Sequence, residues 1–384
     1  MADSAAHLVD HVLPHVPVRQ WVLSLPFEIR YRLAWDGHLL SAVLGVFVRV
    51  VSGWYRRQAR HQGHPGGRGG AVTLVQRFGS ALHLNPHFHV LMPDGVWVSG
   101  PDGTPTFVAV DPPGDQDIQQ IVEQTAQRVV RLLERRGLLE EDRPDPLVQD
   151  EPLRAALTAA SVQGTVATGP GAGQRLRRRL GDPAQGQRTA PLCYAARGFS
   201  LHAATAVAAA DRTRLELLCR YVLRPPLAAA RLRFLDPQTL AFTLKTPWAD
   251  GTTHLILSPH ELLEKLAALV PPPRLHLIRY HGVLAPHAAQ RAQIVPTPPL
   301  PPAPSGPAPA AACPGRRSWA LLLARVFRVD VTVCPACGGP MRIIAALTDP
   351  DSLRTYLDGV GLDSRPPPLV PARLHPHPQF DFAA

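Results

Sequence analysis

The chain has 384 residues with 40 Lys+Arg against 30 Asp+Glu, a formal charge of +10; this is length for two or three domains with proper cores and a balance that favours polyanionic partners, nucleic acid first. Five cysteines (Cys193, Cys219, Cys313, Cys334 and Cys337) are too few for their length, and odd in number, which excludes a disulfide framework and fits a reducing cytoplasm. The first residues lack the basic start and apolar run of a signal peptide, and the longest apolar stretch, residues 39–51, is broken by Ser41, Gly45 and Arg49 and too short to span a bilayer, so a soluble cytoplasmic protein without a membrane partner is expected.

Residues 18–25 read as a strand closed by Pro26, and residues 36–60 as a helix with Leu39, Leu40, Val43, Val46, Phe47 and Val50 at helical spacing. A Gly-rich loop at 63–70 precedes two β-type runs, 71–78 and 87–92, and Asp94-Gly95 predicts a hairpin into Val96-Trp97-Val98. Together these predict an α+β fold, an antiparallel sheet flanked by helices. A helical insertion is expected over 115–198: a helix from Asp115 to about Leu139, then a loop-rich stretch at 164–198 holding Arg175, Arg177, Arg178 and Arg179. A strand at 199–202 follows. Asp211 is a predicted N-cap for a helix through Leu215, Leu218 and Val222 that must stop at Pro225-Pro226. Strands at 231–235 and 240–245 and a helix at 259–270 complete a nuclease-sized domain over 1–295. Residues 296–314 form a Pro-rich linker. A small helical, zinc-ribbon-like unit is expected over 315–365, and 366–384 as an unstructured tail.

The chemistry starts from Pro86-His87-Phe88-His89-Val90. In a strand, side chains two apart share a face, so His87 and His89 aim both imidazoles one way while Phe88 and Val90 face the core. With 17 histidines, about one His-x-His arises by chance, and His375-Pro376-His377, between tail prolines, is read as that one. A metal on two imidazoles needs a third ligand. The preceding strand offers Gln76, and His83 competes; an amide oxygen with two imidazoles and water suits Mg²⁺ or Mn²⁺ better than a structural zinc site. Half-buried histidines and a solvated glutamine are the bland alternative.

Phosphoryl transfer through a covalent intermediate can use a tyrosine phenolate. Of six tyrosines, Tyr221 stands out in Arg220-Tyr221-Val222-Leu223-Arg224, with Arg220 and Arg224 placed to hold phosphates; Tyr280 is second choice, and an ordinary packing role is the alternative for either. Arg175 to Arg179 read as a basic loop for a DNA backbone or as a solvated charge run. All but two basic residues are arginine, a usage that a GC-rich coding sequence also produces. Cys334 and Cys337, followed by Gly-Gly, supply half a Zn²⁺ site, with Cys313, His375 and His377 as candidates for the rest. Gly169-Pro170-Gly171-Ala172-Gly173 lacks the Gly-Lys-Ser/Thr of a phosphate-binding loop, so no nucleotide site is expected.

Five blocks in order resemble the rolling-circle transposases of the insertion sequence 91 group, members of the His-hydrophobic-His endonucleases. They are Leu23-Ser24-Leu25-Pro26-Phe27-Glu28-Ile29-Arg30-Tyr31; Gln76-Arg77-Phe78-Gly79 through Asn85-Pro86-His87-Phe88-His89 to Asp94-Gly95; Cys219-Arg220-Tyr221 with Arg224-Pro225-Pro226; Arg279-Tyr280-His281-Gly282; and Cys334-Pro335-Ala336-Cys337-Gly338-Gly339. The resemblance implies a nuclease that nicks single-stranded DNA of the transposon ends and target and holds it as a 5′-phosphotyrosine, with His87 and His89 as metal ligands and Tyr221 as nucleophile. Gln76 as third ligand is inferred from its upstream position. Relatives often carry two tyrosines four residues apart, where this chain has Leu217, and a Cys/His-rich leading segment, where this chain has only His7, His11 and His15. A non-catalytic DNA-binding relic or repressor of such an element, and a replication initiator or relaxase with the same chemistry, are the competing expectations.

Overall fold

The computed structural model describes residues 1–139, 144–180, 191–297, 319–327, 330–334, 336–341, 347–361 and 363–364. Helix α1 (Ala2–His11) leads to strand β1 (Val18–Ser24), a mostly apolar run ended at Pro26, where α2 (Phe27–Trp35) starts. Asp36 accepts from the Leu39 N–H at 2.8 Å and so caps α3 (Gly37–His61), whose stripe of Leu40, Val43, Phe47, Val50 and Trp54 is buried. Strands β2 (Gly70–Phe78), β3 (Leu84–Pro93), β4 (Gly95–Ser99) and β5 (Pro105–Ala109) come next. Then follow α4 (Asp115–Arg135), α5 (Pro146–Asp150), α6 (Pro152–Gln163), β6 (Arg177–Leu180), β7 (Cys193–Ala196), β8 (Phe199–His202), β9 (Ala206–Val207) and α7 (Arg212–Val222). Strands β10 (Leu232–Asp236), β11 (Thr239–Thr243) and β12 (Thr252–Leu257), helix α8 (Pro259–Leu269), strand β13 (Ile278–Gly282) and α9 (Arg291–Ile294) close this part of the chain.

The main sheet runs β13-β2-β3-β1-β8-β7, with β9 also on β1, and every pairing is antiparallel. One face carries Trp21, Leu23, Val75, Phe88, Val90 and Leu201 and packs on Phe47 and Val50 of α3 and Ile121, Val122 and Val129 of α4. That burial is the chief driving force for the fold, about 25 cal/mol per Å² of apolar surface. A second sheet, β10-β11-β12-β6, encloses its own core of Leu240, Phe242, Leu255 and Leu257 against Leu262 of α8. The α+β class expected from the sequence is the class observed.

Three expectations change. Asp94-Gly95 does not turn β3 back on itself; β4 leaves the sheet and pairs with β5. The reason lies in Asp94, a buried anchor: it takes a two-pronged ion pair from Arg19 (Nε–Oδ1 and Nη2–Oδ2, both 2.9 Å) and the Tyr55 hydroxyl at 2.7 Å. Among the described residues of 164–198 lie β6, paired with β12, and β7, paired with β8; in β6 ladder bonds recruit an arginine run that has no apolar alternation. The apolar residues 39–51 belong to α3, a helix long and apolar enough to cross a membrane, yet its apolar stripe packs on the sheet.

The chain divides into two compact units, Leu8 to Pro298 forming the larger body, and Met1–His7 with the described part of Pro299–Gln379 the smaller. In the smaller unit lie α10 (Trp319–Phe327) and α11 (Pro350–Gly359), capped by Asp349, and a tight turn at Cys334. The Pro-rich stretch from residue 298, Cys313 and the tail with His375 and His377 lie outside the described residues.

Candidate active site

Strand alternation does for β3 what the sequence suggested: Phe88 and Val90 enter the α3/α4 core, and His87 and His89 point to the other face. Their ring centroids lie 5.0 Å apart. Directly across β2, Gln76 opposes His87 and Leu74 opposes His89; across β1 the partners are Ser24 and Val22. The antiparallel pairing that would bring Gln76 beside the histidines is therefore present, in register.

Hydrogen bonds select the tautomers. His87 Nδ1 lies 2.8 Å from the Asn85 carbonyl, which can only accept, so Nδ1 bears the proton and Nε2 a lone pair. His89 Nδ1 meets the Gln20 amide at 2.6 Å. Turning that amide over lets Gln20 Oε1, otherwise buried without a partner, accept from Nδ1–H, the tautomer that bares His89 Nε2. Gln20 was missed from sequence, although β1 alternation puts Gln20, Val22 and Ser24 on the histidine face. Burial lowers both imidazole pKa values, His87 to about 4 and His89 well below its ordinary value, so both are neutral, ligand-competent rings at neutral pH.

Gln76 joins this face to helix α7. Its Nε2 donates to the Val222 carbonyl at 2.7 Å, and its Oε1 is buried with no hydrogen-bond partner. Helix α7 is capped by Asp211, accepting from Arg214 N–H at 2.9 Å, and pinned by Arg212, which donates to the carbonyls of Val9, Leu13 and Pro14. Leu215, Leu218, Cys219 and Val222 form its buried stripe, which leaves Tyr221 against the histidines, ring centroid 6.5 Å from His89 at 82°. The Arg224 guanidinium covers that ring at 4.2 Å and Lys245 Nζ lies 5.6 Å from its centroid. Burial raises the Tyr221 phenol pKa, while the charge and hydrogen bond of Arg224 pull it down.

The other predicted residues separate. Arg220 is ion-paired with Glu216 one turn back, so Arg224 alone of the flanking pair attends Tyr221. His83 lies in the turn before β3, its ring against Gly79, with burial lowering its pKa to about 4. Tyr280 shares the histidine face on the edge strand, opposite Val72, with Arg291 as its cationic neighbour. Arg175, Arg177, Arg178 and Arg179 are exposed; Arg178 stacks on Trp248 at 4.6 Å and pairs with Asp250 at 3.1 Å. In the smaller unit, Cys334 N–H donates to Gly339 O and Gly338 N–H to Cys334 O, and the N–H groups of Ala336 and Cys337 lower the Cys334 thiol pKa. Among the described residues no three His, Cys, Asp or Glu side chains gather. On this sheet face the two imidazoles and the buried Gln76 amide oxygen are groups that could hold a metal ion.

The family model described as "Putative transposase" matches residues 70–292, more than half of the 384 residues. The chain belongs to this transposase family. No curated protein and no solved structure matches it. The transposase match opens at β2 and closes in α9, so it encloses Gln76, both histidines, α7 with Tyr221 and the whole second sheet. Gln20 and the α3 cover lie outside it. Transposases as a class cleave and rejoin DNA, and the matched residues include this sheet face.

Proposed function

We propose that this transposase nicks single-stranded DNA with Tyr221 and keeps the cut strand as a 5′-phosphotyrosine, in the manner of the rolling-circle group it resembles. The carrying observation is the placement of Tyr221, 6.5 Å from His89 on a helix that Gln76 ties to the histidine strand. The Tyr221 phenol gives up its proton to water and its oxygen attacks the scissile phosphorus, forming the new P–O bond; the bond to the 3′-oxygen breaks, and that oxygen takes a proton from water and leaves as a 3′-hydroxyl. Attack by a 3′-hydroxyl on the phosphotyrosine reverses the step and rejoins strands without a nucleotide. Arg224 favours the phenolate and offers a second N–H face to the phosphate. His87, His89 and Gln76 would hold Mg²⁺ or Mn²⁺, which when bound neutralises charge on the scissile phosphate. The orphaned Gln76 Oε1 and the bare Nε2 of His87 fit such an ion.

The test is incubation of the full chain with Mn²⁺ and single-stranded DNA from the gene's flanks, read on denaturing gels. A covalent protein–DNA adduct is expected, absent in Tyr221→Phe. An adduct formed by Tyr221→Phe at the parent rate would remove Tyr221 from the role; no adduct from the parent with any divalent metal would favour a DNA-binding protein without cleavage. Cys334 and Cys337 we assign to half of a Zn²⁺ site, on the turn that aims backbone N–H groups at Cys334.

A further inference from the structure

On the α3 side of the main sheet, away from the histidines, a cleft of about 460 Å³ opens between α3, the 67–70 loop and the segment after β13. Arg49 and Arg56 of α3 and Arg68 of the loop line it, all three exposed, and no acidic residue contributes to its wall. None of the three has a carboxylate partner among the described residues, unlike Arg19, Arg178 and Arg220. We propose that this cleft binds the phosphate backbone of a DNA strand, a second nucleic-acid site on the opposite face from Tyr221.

The cleft is built rather than incidental. Gly282, at φ +59°, brings its backbone so close to the Gly69 carbonyl that an added Cβ would lie 2.0 Å from that oxygen, and Val283 N–H donates to the same carbonyl at 3.1 Å. A Cβ on Gly70 would strike Leu284 at 2.6 Å, whereas at Gly69 it would meet nothing within 4 Å. The loop is thus fixed on one side and bare on the side where a phosphate would approach. Arg49 and Arg56 are seven residues apart on one helix, about 10 Å along its axis at 1.5 Å per residue. That spacing suits successive phosphates of a strand, each met by one guanidinium group. Unpaired arginines facing solvent without carboxylates are what counterion release requires.

The proposal rests on the transposase reading but not on Tyr221. The test compares full-length parent, R49Q/R56Q/R68Q and R49K/R56K/R68K by fluorescence anisotropy with a long labelled single strand over a range of KCl. The glutamine variant is expected to lose about 2 from the slope of log affinity against log salt, roughly 0.7 per phosphate contact, and the lysine variant to keep it. Single glutamine variants each lose about a third of that and stand in if the triple does not fold. An unchanged slope overturns the proposal, as does displacement of the strand by inorganic phosphate or a free mononucleotide at concentrations matched in phosphate. Adduct formation on a short oligonucleotide is measured on the same preparations. Its absence in the parent, beside a reduced slope in the variant, fails the nuclease reading alone; a normal adduct beside an unchanged slope fails the cleft alone.

Discussion

Lys265, on the buried side of α8, gives a prediction that is fully signed. It is 3% exposed and its Nζ has no hydrogen-bond partner. Burial lowers its pKa to about 8 from an ordinary 10.5, against the opposing pull of Glu264 and Glu261. Glu264 spends its oxygens elsewhere, on the N–H groups of Ala167 and Thr168 and the Thr168 hydroxyl. With the folded pKa below the unfolded one, the unfolded chain binds more protons between pH 8 and 10.5, so stability rises with pH across that window. Below pH 8 the deficit is constant, about 3 kcal/mol at 1.36 kcal/mol per pH unit. Lys265→Met keeps the stem in its apolar setting and removes the charge. The variant is expected to be the more stable at pH 7 by up to about 3 kcal/mol, with most of the gain gone by pH 10.5. Urea titrations of parent and variant at several pH values give the difference, in which all other titrations cancel. Equal stability at pH 7, or a gap that widens as pH rises, would refute the reasoning.

Two further outcomes follow from the main sheet. Asp94→Asn leaves the Arg19 guanidinium buried without its carboxylate, and a loss of about 3–5 kcal/mol is expected in chemical denaturation; a change under 1 kcal/mol in a roughly isosteric variant would mean the pair is not what holds β1 to the end of β3. Gln20→Leu removes the amide that sets the His89 tautomer, and Mn²⁺ affinity by calorimetry is expected to fall about 10–100-fold. Unaltered Mn²⁺ binding would show that Gln20 orients nothing.

Much of this is legible in the sequence because it rests on short-range periodicity. Alternation in 87–90 fixes which way His87 and His89 face, and the Asp211 cap with Pro225-Pro226 brackets α7 around Tyr221. What escaped was set by pairing. Gln20 lies 69 positions before His89 and becomes its neighbour only through the β1–β3 register. Asp94 followed by glycine carries a turn signature, and only the arrival of Arg19 and Tyr55 from two other elements makes it an anchor. In β6, Arg177 to Arg179 offer no apolar face to read, and the strand exists because β12 supplies the ladder. Arg220 and Arg224 look alike in sequence; one helical turn separates a guanidinium held by Glu216 from one laid on the tyrosine.

The same alternation puts a different chemistry on each face of β2 and β3, so under the two proposals a single sheet would serve two DNA contacts. Residues such as Gln76 and His87 look toward α7, while Ala71, on β2 between the edge strand β13 and β3, looks toward α3 and the arginine cleft. A strand held by Arg49, Arg56 and Arg68 therefore cannot occupy the Tyr221 site at the same phosphate. It would lie across the thickness of the sheet, so the two proposed sites together would let one DNA segment be cut while another is retained.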